Sequence, residues 1–177
     1  MDELRTQRLI LRRWTADDEK AMVEINRDPE VARHLNRPVD EAAIAAFHGL
    51  VAGHWEQYGF GPYALESREA GLEGRFLGFA GLAHVPPFLS AAGEQPELGW
   101  RLARSAWGRG LATEAATAAR DDAFERLRLP QLISIIHPEN ERSQRVATKL
   151  GMQPSRQIHN PALDLDVDVW ALDAPAG

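Results

Sequence analysis

Gly108-Arg109-Gly110 stands directly ahead of an alanine-rich stretch, residues 111–127, that reads as a helix. Glycine is a poor helix former, so placing one on each side of Arg109 calls for a reason. The first amides of a helix lack intrahelical partners and carry partial positive charge. With no side chains in the way, an anion can come close to them. Strand, glycine turn and helix together are one way to bind a phosphate group. A sharp turn with no ligand fits the same residues, and on these residues alone both readings stay open. Two other phosphate motifs do not occur: no strand runs into G-x-G-x-x-G, and no G-K-[ST] completes a P-loop.

Asn140 and Ser143 form an N-x-x-S at the start of another predicted helix. Both are good local hydrogen-bonders there, Asn140 as the N-cap and Ser143 on the first turn. Glu97, near the head of a predicted strand, is a carboxylate that can serve as a base or simply end a strand in water. His84 and His137 each close a predicted strand, where a lone histidine is more often structural than chemical. The absence of cysteine excludes disulfides, thiolate metal sites and a cysteine nucleophile.

The elements that must hold these residues follow from pattern. Residues 8–14 read as a strand. Thr15 with Asp18 makes a capping box that opens a helix to about Asn26. A turn and short helix cover 28–35. Pro38 and Asp40 start a clearer helix, with Ile44, Phe47, Val51 and Trp55 at helical spacing, ending by Gly59 and Gly61. A short strand at 62–67 and a long apolar one at 75–85 come next, the second halted by Pro86 and Pro87. Residues 88–95 read as a loop or hairpin connection, and 96–102 as the strand before the glycine turn. Isoleucine-rich 130–137 has the look of a buried central strand. Asn140 and Gly151 bracket the next helix. At the end, Leu163, Leu165, Val167 and Val169 alternate with Asp164, Asp166 and Asp168, the period of a strand with one wet face. The mixture, with strands bunched in the middle and no linker, predicts one α+β (mixed α/β) domain over residues 1–177.

Composition narrows the function classes. Twenty Lys and Arg against 26 Asp and Glu give a net charge of −6, so the basic footprint of a nucleic-acid binder is missing. The acidic excess aids solubility and would also attract a cationic amine. No apolar run approaches a membrane span, and the charged N-terminal stretch lacks the apolar region of a secretory signal. A cytoplasmic enzyme or binding domain, with no membrane or nucleic-acid partner, is the expectation.

"ELGWRLARSAWGRGLATEA", followed by "IIHPENERSQRVATKLGM", resembles the GNAT superfamily of acetyl-CoA-dependent N-acetyltransferases. Within it the chain is most similar to the branch of ribosomal-protein N-terminal acetyltransferases, and the likeness runs from "TQRLILRRWTADD" to "DVDVWAL". The resemblance implies a twisted, mixed, mostly antiparallel sheet of about seven strands flanked by helices. It implies that Trp100, Arg101 and Leu102 lie on a splayed strand whose free backbone groups pair with the pantetheine arm. It makes Trp107, Gly108, Arg109, Gly110, Leu111 and Ala112 the pyrophosphate loop, with Trp107 where the family usually has arginine or glutamine. The amides of residues 108–112 would hold the pyrophosphate, so that departure need not harm binding; Arg109 and Arg104 would screen phosphate charge or be solvated. Asn140 would contact pantetheine and Ser143 would lie near the sulfur.

The implied chemistry is direct transfer of an acetyl group from a thioester to an amine in a ternary complex. Glu97 is the candidate base, through water. Much of the superfamily has a tyrosine acid on the helix that here begins at Asn140, whereas the tyrosines of this chain, Tyr58 and Tyr63, lie far upstream. Ser143 is the remaining candidate beside the leaving thiol. The acceptor is expected to enter near residues 16–59 and 86–95, where Trp14, His34, Phe47, Trp55 and Phe88 set specificity or simply pack the core. Three readings stay open: a protein or peptide N-terminus, a small amine such as an antibiotic or amino-acid derivative, and a CoA-binding module without catalysis. No metal is expected, and a monomer and a homodimer are both compatible with the chain.

Overall fold

A computed structural model of the protein describes residues 3–35, 40–161 and 164–175. Its strands are β1 (Glu3–Arg5), β2 (Leu9–Arg12), β3 (Pro62–Ser67), β4 (Phe76–Ala83), β5 (Glu97–Leu102), β6 (Gln131–Ile136), β7 (Gln153–Asn160) and β8 (Leu165–Asp173). They form one eight-stranded sheet in the order β1-β2-β3-β4-β5-β6-β8-β7. The helices are α1 (Ala16–Arg27), α2 (Pro29–Ala32), α3 (Glu41–Tyr58), α4 (Leu111–Glu125) and α5 (Glu141–Lys149). Every strand pair is antiparallel except β5 with β6. Eight strands replace the expected seven or so. Pattern alone marks six of them; the two it misses are short β1 and the mostly exposed β7, whose polar run carries no alternating signal.

The helix starts follow their chemistry. Thr15 and Asp18 form the expected capping box of α1, and Arg12 pairs with Asp18 at 2.7 Å and with Glu66 at 2.7 Å. Asp40 caps α3 by accepting from the Ala43 amide, and left-handed Gly59 ends it. Pro38 and Leu163 lie outside the described residues. Residues 87–92 form 3-10 turns rather than a plain loop, docked on β7 by Arg156, which donates to the carbonyls of Ala91 and Ala92. α4 begins at Leu111, behind the glycines and not within them.

Two layers sandwich the middle of the sheet. Leu98 and Leu102 of β5 pack with Ala115, Ala116 and Ala119, the small-residue face of α4. Alternation along a strand turns Glu97, Gly99 and Arg101 to the opposite face. There Phe79, the cross-strand neighbour of Arg101, meets Phe47 of α3 at 5.3 Å and Trp14 at 6.1 Å. Among the described residues, no helix is long and apolar enough to cross a membrane.

Candidate active site

β5 and β6 touch at one end only. Their register is confined to Glu97 opposite Ile133, where the Ile133 amide donates to the Pro96 carbonyl at 3.2 Å. One step further on, the buried Ser134 hydroxyl donates to the Leu98 carbonyl at 2.6 Å, so a side chain takes the place of the next ladder bond. Beyond Leu98 the strands separate. The edge of β5 from Gly99 to Leu102 therefore looks into a cleft of about 880 Å³, lined by both strands, the 106–113 turn and α5.

The glycine turn forms one wall. Gly108 and Gly110 have φ of +72° and +78°, the left-handed region that glycine enters at no steric cost. Gly110 is the N-cap of α4 and offers no side-chain cap, so the first amides of the helix keep no protein acceptor at that position. Residues 108–110 are exposed. Trp107 folds back: its indole N–H donates to the Leu102 carbonyl at 2.9 Å, and the Arg142 guanidinium lies 4.4 Å from its ring centre. Trp107 thus fills the root of the turn as a rigid plate where a charged side chain would be mobile.

α5 forms the facing wall. The Asn140 side-chain oxygen accepts from the Ser143 amide at 3.1 Å, so the cap is real and uses the oxygen rather than the amide nitrogen. Ser143 lines the cleft, half-buried. Arg142, Arg145 and Lys149 also line it, placing positive charge along that side. The charges expected from Arg109 and Arg104 go elsewhere. Arg109 donates to Glu69 at 2.5 Å and Arg104 lies 3.9 Å from Asp28, and neither lines the cleft.

Glu97 and Arg101 line the cleft on the face of α1 and α3, with Gly81 and Gly99 paired side by side between them. A Cβ added at Gly99 would meet nothing within 4 Å, so the sheet is bare there. Arg101 is held by Asn26 at 3.3 Å and lies 5.4 Å from the Phe79 ring centre. Of the aromatic and histidine residues read as setting specificity, His34 and Phe47 line the cleft. Trp14 and Trp55 belong to the core, and Phe88 is exposed elsewhere.

Both tyrosines stand apart from the cleft. Tyr63 is buried against Trp55, and burial pushes its hydroxyl up to about 12. His84 donates its backbone N–H to His54 and likewise lies outside the cleft. His137 does line it, with its ring 4.8 Å from that of His34. Among the described residues, one set of three metal-capable side chains occurs: His34, His137 and Glu139, whose donor atoms lie within 4.8 Å of one another. The Glu139 amide already donates to His137 Nδ1 at 3.1 Å. Burial first, then the charges of His137 and Arg33, lower the His34 pKa against an upward pull from Glu139, with Arg142 adding a smaller downward push.

A group invisible to sequence reasoning sits behind the turn. Arg8 and Thr6, at the approach to β2, bind Glu114 of α4, and Arg8 also reaches the Arg109 carbonyl. The partners are separated by more than a hundred residues, and no local pattern ties them together.

The family model for the acetyltransferase (GNAT) domain matches residues 8–153. The uncharacterized N-acetyltransferase YoaA of Bacillus subtilis is 25% identical over 97% of each chain. The crystal structure of an acetyltransferase from Agrobacterium tumefaciens superimposes with a TM-score of 0.82, at 30% identity, over 97% of this chain and 94% of that one. RimJ of Mycobacterium smegmatis, in complex with a CoA disulfide, shares the fold with a TM-score of 0.73 at 20% identity, over 96% and 85%. With the family model covering most of the chain, the chain belongs to the GNAT acetyltransferases as an N-acetyltransferase.

Proposed function

We propose that the protein transfers an acetyl group from acetyl-CoA to a primary amine at the N-terminus of a peptide or protein, in one step within a ternary complex. The observation that carries the reading is the parting of β5 and β6 against the exposed glycine turn. The cleft side of β5 over Trp100, Arg101 and Leu102 receives the extended pantetheine arm as an added strand would be received, with the Leu102 carbonyl already taken by the Trp107 indole. At the far end of the arm the pyrophosphate meets the amides of Gly108, Gly110, Leu111 and Ala112. The Asn140 amide nitrogen donates to the arm from the other wall.

The amine nitrogen attacks the thioester carbonyl carbon, the C–S bond breaks, and the sulfur leaves with a proton. An amide on the cleft side of β5 polarises the carbonyl oxygen. An α-amino group has a pKa near ~8, so a water held by Glu97 suffices to take its proton. Ser143, the hydroxyl nearest the helix cap, hydrogen-bonds the departing sulfur. The acceptor approaches over the bare strip of Gly81 and Gly99. The ribosomal-type branch supports a peptide acceptor, and RimJ is a fold neighbour.

Thiol release from acetyl-CoA, measured over a panel of N-terminal peptides and small amines, tests the reading. Peptides are expected to be turned over, with calorimetry showing CoA binding. Turnover confined to small amines would assign the enzyme to them. CoA binding with no thiol released by any amine would make the chain a binding module.

A further inference from the structure

The glycine turn is held from behind, on the side away from the cleft, and the holding residue is Arg8. Its Nε donates to Glu114 Oε2 at 2.7 Å, and its Nη2 lies 2.6 Å from the same oxygen. The Arg8 backbone amide donates to Glu114 Oε1 at 2.8 Å, and the Thr6 hydroxyl donates to that oxygen at 2.6 Å. The remaining arm of the guanidinium, Nη1, donates to the Arg109 carbonyl at 2.9 Å. A Cβ built on Gly110 would lie 3.6 Å from Arg8 Nη2, so the cation packs directly beneath the turn. Gly110 lines the cleft, whereas Arg8 does not.

We propose that Arg8 is a positioning residue for the pyrophosphate of CoA, acting through the Arg109–Gly110 peptide and through Glu114. The inference rests on the turn being the pyrophosphate site. In a trans peptide the C=O and the following N–H point in opposite directions, and the described peptides are all trans. Drawing the Arg109 carbonyl down to Arg8 therefore turns the Gly110 N–H up into the cleft. Gly110, left-handed on the following side, lets this peptide flip at little steric cost, so its orientation needs an external tie. The second effect is electrostatic. Glu114 stands on the first turn of α4, one helical turn from the proposed anion. Burial tends to raise its pKa, but the bonds from Thr6 and Arg8 outweigh this and hold it low, so it stays charged. Arg8 cancels that charge where a bare carboxylate would repel phosphate. Both effects act on the pyrophosphate and neither reaches the thioester, which sits toward the closed end of the cleft.

A purely structural brace would weaken the enzyme toward every acetyl donor alike, and this separates the two roles. Acetyl-pantetheine carries the thioester and arm without the pyrophosphate. For the wild type, kcat/KM is expected to be much higher with acetyl-CoA than with acetyl-pantetheine; equal values would overturn the pyrophosphate site itself, and with it the basis of the inference. For Arg8→Met, kcat/KM with acetyl-CoA is expected to fall about ten- to hundredfold, mainly through KM, the worth of hydrogen bonds to a charged group. With acetyl-pantetheine it should stay within about twofold of wild type. ADP, as a competitive inhibitor carrying the pyrophosphate alone, should lose affinity by the same factor as acetyl-CoA. Equal losses with both donors, or unchanged ADP inhibition, would overturn the role of Arg8. Should Arg8→Met fail to fold, Arg8→Lys carries the test, since an ammonium can pair with Glu114 but cannot also fork to the Arg109 carbonyl. It is expected to show a smaller loss, again confined to acetyl-CoA and ADP.

Discussion

The two walls of the cleft are built by opposite means. The wall at α5 makes itself: Asn140 caps the helix that follows it, and Arg142, Arg145 and Lys149 recur on one side of nine residues. At the glycine turn itself, Gly108 to Gly110, the other wall offers backbone rather than side chains, and that stretch is braced from outside. Arg8 ties it from one side and Glu69 from the other, through Arg109. A surface that offers amides must give up the side chains that would brace it, so the bracing comes from elsewhere in the chain. That division explains why Arg109 is absent from the cleft although it lies in the middle of the turn.

The largest effect is expected at the turn. Gly110→Glu forces a left-handed φ of +78° on a residue with a Cβ and sets a carboxylate beside Arg8 beneath the turn, where it competes with the Arg109 carbonyl for the guanidinium. Calorimetry should show CoA affinity down by at least about a hundredfold, the scale of removing several charged hydrogen bonds. Gly110→Ala carries the backbone strain without the charge and should lose far less. Unchanged affinity in the glutamate variant would remove the turn from the cofactor site.

The same contrast governs what the sequence could convey. The α5 wall was legible because capping acts over three residues: Asn140 and Ser143 sit where N-x-x-S puts them. The turn was legible as a possibility, and its neighbours "PELGWRL" and "HPENERSQRVATKLGM" narrowed it. Its supports were not, because Arg8 and Glu114 lie 106 residues apart and each reads alone as a solvated charge. β7 escaped notice for a related reason. Five of its residues in a row are exposed, so no period of two marks it, and it is ordered by pairing with β8. The splay of β5 and β6 came only from resemblance; its local cause, Ser134 occupying the Leu98 carbonyl, is a tertiary contact that no pattern in "PQLISIIH" announces.

The strands between the walls meet at Glu97, and there the comparison turns from binding to rate. Glu97→Gln keeps size and hydrogen bonding while removing the capacity to take a proton. Thiol-release kinetics should show kcat lower by about a hundredfold, the typical worth of a general base, with CoA affinity unchanged. A normal kcat would hand the proton to bulk water. A loss of CoA affinity would instead place Glu97 within a wall.

Asn140 allows the cap and the cofactor contact to be separated. Serine retains a side-chain acceptor for the Ser143 amide but has no amide nitrogen. Asn140→Ser is therefore expected to keep the melting temperature and raise KM for acetyl-CoA, by about five- to tenfold for one lost hydrogen bond. Asn140→Ala should show the same KM and also lose about 1 kcal/mol of stability. A serine variant with normal KM would leave Asn140 as a cap alone.

The smallest effect lies outside both walls, at His54, and it tests how the floor of the sheet is fastened to α3. The Phe60 carbonyl, 2.7 Å from Nδ1, can only accept, so Nδ1 carries the proton. The His84 N–H, 2.9 Å from Nε2, can only donate, so Nε2 must stay bare. His54 is thus fixed as one neutral tautomer. Burial lowers its pKa, against a smaller upward pull from the Phe60 bond, and the nearby His84 adds a lesser downward push. As pH falls through the ordinary histidine value of about 6.5, the unfolded chain takes up a proton that the folded one refuses, so stability is full above that pH and is lost below it. His34 adds a slope of the same sign. Melting temperature is expected to drop by on the order of 2–4 °C between pH 7.5 and 5.5, about what 1 kcal/mol does in a chain of this size. His54→Gln should melt lower at pH 7.5 and show a smaller drop on acidification. An unchanged drop would mean that the folded protein protonates His54 freely, and that the two backbone bonds do not hold its ring.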